Sequence, residues 1–243
     1  MGKRRSDLVR AAWFAAIQWT AVEVALRGPL CDLAVTGLHE MGRVSSPSDR
    51  FEVAAFLTAP IMAVLGAVSA RRSRCDGLTR RDLGYRGGRD RIIAGVLAGA
   101  AVLMMSVLAG IADATLFDRP AVEPPSIISM RTAGTAVWLA LLLGNGIMVP
   151  LIEEFAWRGY IQTRLAAAWG PGPAAAVTAV LFAVKHVVVD QSVLRVVTLM
   201  TGALALGVIG RRYGTTASTL AHVILNLAGT AASIAAAILT APP

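Results

Sequence analysis

Residues 133–158 read AGTAVWLALLLGNGIMVPLIEEFAWR. Positions 133 to 152 carry no charge, and then two acids, Glu153 and Glu154, arrive together. About 20 apolar residues in helical geometry span a bilayer core, so this run sets the fold class: all-α, a multi-pass transmembrane helical bundle. Ionisable groups at membrane depth are costly and point to function. Helical spacing separates the two acids. Arg158 follows Glu154 by four residues, so these two share a face and can pair. Glu153 lies about 100° away around the helix and has no cation at i+3 or i+4. One carboxylate is thus expected to be tied down and the other left for chemistry. The competing reading is a helix end carrying solvated charges. Pro150, one turn earlier, removes a backbone bond and predicts a kink.

Composition agrees with the stretch. Hydrophobic residues make up 56% and charged residues 16% of 243, with mean hydropathy +0.63. Soluble domains hold about 45–50% apolar and about 25% charged residues. The length suits a single membrane domain, 1–243, with no room for a large soluble one. Net charge is +8, but the basic residues fall between apolar runs, where topology and anionic lipid headgroups explain them. Residues 71 to 91 hold eight arginines and three acids among four glycines, with only Tyr85 aromatic. That composition reads as a cytoplasmic loop and excludes nucleic acid as a partner. Cys31 and Cys75 share no motif and read as free thiols.

About seven spans, seven to eight in all, are expected. The first covers 11 to 26, behind Lys3, Arg4, Arg5 and Arg10; no clear cleavage site follows, so it reads as a membrane helix rather than a signal peptide. Within it, Glu23 and Arg27 are spaced to neutralise each other. A polar loop with Ser45, Ser46 and Pro47 leads to a second span, 53 to 70. The third, 92 to 112, carries Gly95 and Gly99, a spacing for close helix packing. A loop with Pro120, Pro124 and Pro125 precedes the fourth span, 133 to 152. Gly170-Pro171-Gly172-Pro173 reads as a turn before a fifth span, 173 to 189. The sixth runs from 193 to 210 and the seventh from 215 to 241. Residues 28 to 38 are free to form a further short element. Sixteen of the 23 basic residues then fall in the tail and inner loops, which places the N-terminus in the cytoplasm.

Three motifs lie in order on separate apolar helices. They are Glu153-Glu154-x-x-x-Arg158, then Phe182-x-x-x-His186, then His222-x-x-x-Asn226, with Ser218 one turn before His222. Singly each is weak, and a membrane histidine or asparagine more often bonds a neighbouring helix. Together they resemble the CPBP family of intramembrane proteases, which includes type II CAAX prenyl endopeptidases and Abi-like relatives linked to bacteriocin processing. The resemblance covers about 133–228 as a catalytic core. It implies an endopeptidase cutting a peptide or protein substrate in the lipid bilayer of a prokaryotic cell (inner) membrane. The end Thr240-Ala241-Pro242-Pro243 has no prenylation signal, so the chain is not expected to be such a substrate itself.

By the same resemblance Glu153 and His186 would activate water, and His222 and Asn226 would hold the oxyanion. Glu154 and Arg158 would fix the helix end, and Phe182 would pack beside His186. A carboxylate with a histidine can deprotonate water, and positioned donors stabilise a developing oxyanion. No cofactor is favoured, but Glu153, His186 and His222 also match the His₂Glu set of some zinc sites, so a zinc reading stays open. The alternative function is a non-catalytic binding protein of bacteriocin-immunity type using the same cavity. A proton-coupled transporter is weaker, since no paired repeat appears. Two features fit poorly. Lys185 adjoins His186, either snorkelling outward or perturbing the histidine. Depth is the other: at about 1.5 Å per residue, His186 lies about 18 Å into its span and His222 about 10 Å into its own. The site is expected to open toward the cytoplasm.

Overall fold

The computed structural model describes residues 2–41, 47–116 and 125–240. Ser45, Ser46, Pro120, Pro124 and residues 241–243 lie outside these described residues. Within them the chain is helical, without a strand. The helices are α1 (Gly2–Arg27), α2 (Pro29–Glu40), α3 (Pro47–Cys75), α4 (Arg89–Leu116), α5 (Pro125–Thr132), α6 (Thr135–Trp169), α7 (Pro171–Asp190), α8 (Val196–Tyr213) and α9 (Thr215–Leu239). The short element after residue 28 is α2. Pro125, assigned from sequence to a loop, starts α5 instead. Gly170 alone makes the turn into α7, at φ +87°, and Pro171 supplies a preset first helical residue.

The bundle is that of an integral membrane protein. Five helices are long and apolar enough to cross a bilayer: Arg50–Cys75 of α3, α4, α6, α7 and α9. The other two expected spans are the helices α1 and α8. Charges at its start and Glu23 near its end lower the hydropathy of α1, and α8 closes on Arg211-Arg212-Tyr213. On α4, Leu97, Met104, Leu108 and Ile111 form one outward row, each at least 60% exposed, as a lipid-facing stripe should. Its other face carries Gly95 and Gly99 onto α9. A Cβ at Gly95 would meet the Ala217 carbonyl oxygen at 3.0 Å, and one at Gly99 would meet Ile224 at 2.9 Å. Small residues let the two backbones approach, as the spacing predicts.

The central helix differs most from expectation. Instead of stopping after Glu153, α6 runs 35 residues and places both acids near its middle. The Glu154–Arg158 pair neutralises itself, so the helix continues through apolar surroundings. Two π-helical stretches, Leu142–Met148 and Phe155–Gln162, flank the short α segment that carries the acids. Pro150 lies just where the first stretch ends. In π register the Val149 N–H bonds the Gly144 carbonyl; the next donor, that of residue 150, is missing in proline. The Asn145 carbonyl is thereby left over, and the Asn226 side-chain amide donates to it at 3.0 Å. The break expected at Pro150 thus takes the form of a register change that docks α9.

The central helix also resolves the depth mismatch. Along α6 and α8, Arg158 donates to the Ala203 carbonyl at 3.0 Å and Gln162 to the Gly207 carbonyl at 2.8 Å, fixing their relative height. The α9 helix begins deep in the bundle. The loop between α3 and α4 tucks in with Leu83 buried, its carbonyl accepts from Thr215 Oγ1 at 2.6 Å, and the Gly84 carbonyl accepts from the Thr215 N–H at 3.0 Å. Gly159 faces the same Leu83 carbonyl. Seven residues up from Thr215, His222 therefore meets the level of Glu153, which His186 reaches from α7.

Candidate active site

Glu153 sits where α6, α7, α9 and α1 converge, 2% exposed. His186 Nε2 is 3.9 Å from its Oε1, and His222 Nε2 is 4.0 Å from its Oε2. Both gaps exceed a direct hydrogen bond and suit one bridging water. The far ring nitrogens fix each imidazole. His186 Nδ1 lies 3.0 Å from the Phe182 carbonyl oxygen, which can only accept; Nδ1 therefore carries the hydrogen and Nε2 presents a lone pair toward Glu153. His222 Nδ1 lies 2.9 Å from Glu154 Oε1, a carboxylate oxygen that can only accept, so Nδ1 carries a hydrogen.

Glu154, fully buried, thus holds two groups at once. Arg158 Nη1 stands 2.9 Å from the same Oε1, so the i,i+4 pair read from the sequence forms. The guanidinium also lies 4.8 Å from the Phe182 ring centroid. Phe182 is the packing hub: its ring centroid is 4.5 Å from His186, 5.4 Å from Trp157 and 6.4 Å from His222. Asn226 spends one amide hydrogen on Asn145 and keeps the second. The Ser218 hydroxyl donates back to the Thr215 carbonyl at 3.1 Å, inside its own helix.

Glu153 is not left without a cation. Lys185 points inward, 1% exposed on its side chain, with Nζ 2.7 Å from Glu153 Oε1 and 3.1 Å from Glu23 Oε2. Glu23 completes the chain with Arg27 Nε at 3.0 Å and the Trp19 indole N–H at 2.9 Å. Buried charges must be paired, and this row alternates in sign. Sequence spacing could not find the Lys185 pairing because its partners come from other helices. The signal was present, however: Lys185 in α7 has no acid at i±3 or i±4. Among the described residues no three His, Cys, Asp or Glu groups converge as metal ligands.

A cavity of about 590 Å³ opens from these groups. Its lining on α6 runs from Leu141 to Glu153, on α7 from Phe182 to Asp190, and on α9 from His222 to Ser233. Below Glu153 the floor is closed by Trp157 and Arg158, at 0% and 2% exposed. Beside that floor Tyr85 of the loop between α3 and α4 stacks on Phe155 at 6.2 Å. Burial pushes its phenol well above the ordinary value, so it stays neutral there. The cavity therefore leads away from the basic loop. The expected inward opening rested on Glu153 ending its helix, and Glu153 instead lies near the middle of α6.

Residues 135–228 match the family model described as "Type II CAAX prenyl endopeptidase Rce1-like". The matched segment contains all seven residues singled out by the motifs and agrees with the resemblance they carry. Such a domain implies a CAAX-type intramembrane endopeptidase. No curated protein and no solved structure matches the chain.

Proposed function

We propose that the chain hydrolyses a peptide bond in a membrane-associated, lipidated or leader-bearing substrate, using a water held between Glu153, His186 and His222. The observation that carries this reading is the pair of Nε2 atoms facing the two Glu153 oxygens at 3.9 and 4.0 Å, open to the cavity. Glu153 and His186 Nε2 take the water proton as oxygen attacks the carbonyl carbon. The oxyanion accepts from protonated His222 at Nε2 and from the second Asn226 hydrogen. Glu154 stabilises that imidazolium and is itself held by Arg158. The proton from water goes to the leaving amine when the C–N bond breaks.

We read the reaction as metal-free. The Lys185 ammonium on Glu153 Oε1 supplies the positive charge that a zinc-binding carboxylate would take from the metal, and Asn226 suits oxyanion binding rather than zinc. The same ammonium also favours a second reading. A carboxylate already held in a buried ion pair at 2.7 Å is a structural group, as suits a non-catalytic, immunity-type protein that holds its partner in this cavity. The two are separated by Glu153→Gln at normal expression. Mapping new protein termini in membranes with and without the protein should show cleavages that vanish in the Gln form. An unchanged set of termini, with full phenotype from the Gln form, would establish the binding protein instead.

A further inference from the structure

We infer that the cavity takes its substrate from the non-cytoplasmic side, so the chain cuts at the outer-leaflet end of membrane-anchored proteins and not at cytoplasmic lipidated tails. The inference rests on the peptidase reading for the cut and on geometry alone for the direction.

Two helices descend toward Glu153 and two rise to it, so helix direction alone cannot bias the cavity lining. On α6 no lining residue follows Glu153, and on α8 none follows Leu206; on α7 none precedes Phe182, and on α9 none precedes His222. On α6, α7 and α9 the lining therefore lies on one side of the level of Glu153, while Ala203 and Leu206 of α8 line its base beside Arg158. Its far end carries Arg27, Asp190 and Arg195, at or just beyond the ends of α1, α7 and α8. Closing the other side are Trp157, Arg158 and the loop that binds Thr215 through Leu83 and Gly84.

That closed side is the basic side. The loop between α3 and α4 joins there, and Asp76 from it pairs with Arg164 near the end of α6. Arg72 covers Phe14 in the first half of α1 at 4.6 Å, so α1 starts on this face. The end of α8, Arg211-Arg212, lies there too, one turn beyond Gly207, which receives Gln162. Helix ends rich in arginine stay in the cytoplasm. The closed floor then faces inward, and the open cavity faces out. Its walls mix lipid-like side chains, Leu103, Val107 and Leu199, with the polar Ser106, Asn145 and Thr198. Such a lining fits an extended peptide leaving a membrane anchor.

Cysteine accessibility tests the direction without any need for activity. Cys75, exposed at the end of α3, reports the basic face once buried Cys31 is replaced by Ser. Val193→Cys, in a background with both native cysteines replaced by Ser, reports the cavity rim, where Val193 is 50% exposed. A membrane-impermeant maleimide should label the Val193→Cys variant in intact cells and spare Cys75; inverted vesicles should give the opposite pattern. Cys75 labelled in intact cells, both sites labelled from one side, or a rim labelled from neither would overturn the inference. Terminus mapping supplies the second arm, comparing wild type with Glu153→Gln. New termini should lie in extracytoplasmic segments next to an anchor, and termini confined to cytoplasmic tails would also overturn it. The expected labelling with no cleavage at all would sink the peptidase reading and leave the direction standing.

Discussion

Replacing Lys185 by Met tests whether the inward lysine holds the site together. Its ammonium touches one oxygen of Glu153 at 2.7 Å and one of Glu23 at 3.1 Å. Those oxygens are therefore no more than about 6 Å apart. Both carboxylates are 2% exposed, so solvent screens them little. With the cation gone, two unit charges at about 6 Å repel by roughly 3 kcal/mol at an effective dielectric constant near 20. Removing one partner of a buried ion pair costs about 3–5 kcal/mol, so Lys185→Met should destabilise by about that amount. The assay is reversible unfolding of the purified protein in mixed micelles, followed by circular dichroism as a denaturing detergent is titrated in. A second substitution isolates the cause. In the Lys185→Met background, Glu23→Gln removes the repulsion and should recover roughly 3 kcal/mol, a non-additivity that a double-mutant cycle reads directly. Stability of Lys185→Met within roughly 1 kcal/mol of wild type, or no recovery on adding Glu23→Gln, would refute the bridging role.

Further outcomes follow from the same geometry. Glu154→Gln strands the buried Arg158 and weakens the hold on His222, so it should cost about 3–5 kcal/mol and lower membrane abundance; Glu153→Gln leaves Lys185 its Glu23 partner and should fold. A well-folded, inactive Glu154→Gln beside an active Glu153→Gln would reverse the two roles. Gly95→Val pushes against a backbone oxygen already 3.0 Å from the Cβ position, and such overpacking should cost about 1–3 kcal/mol in the same titration. Gly172→Ala, where a Cβ meets nothing within 4 Å, is its control. Treatment with a strong zinc chelator should leave proteolysis unchanged. Loss of activity restored by added zinc would put the zinc reading first.

The sequence by itself determined the membrane class, most of the helices and the local pairs. An uncharged run of twenty residues can do little but cross a bilayer as a helix, and i,i+4 spacing places side chains on one helical face whatever surrounds it. For that reason Glu154–Arg158, Glu23–Arg27, Phe182–His186 and the Gly95/Gly99 stripe are all legible along the chain. What the tertiary structure alone decided is everything that joins separate helices. Lys185 reaches Glu153 and Glu23 across two interfaces, and His222 finds Glu154 across a third. Asn226 binds a carbonyl freed only because Pro150 meets a π register. The relative heights of the helices depend on a loop that anchors the start of α9 through buried Leu83, and those heights set which side of Glu153 is open. Periodicity records angle around one helix axis; it carries no information about the offset between two axes, and in this chain that offset places the site.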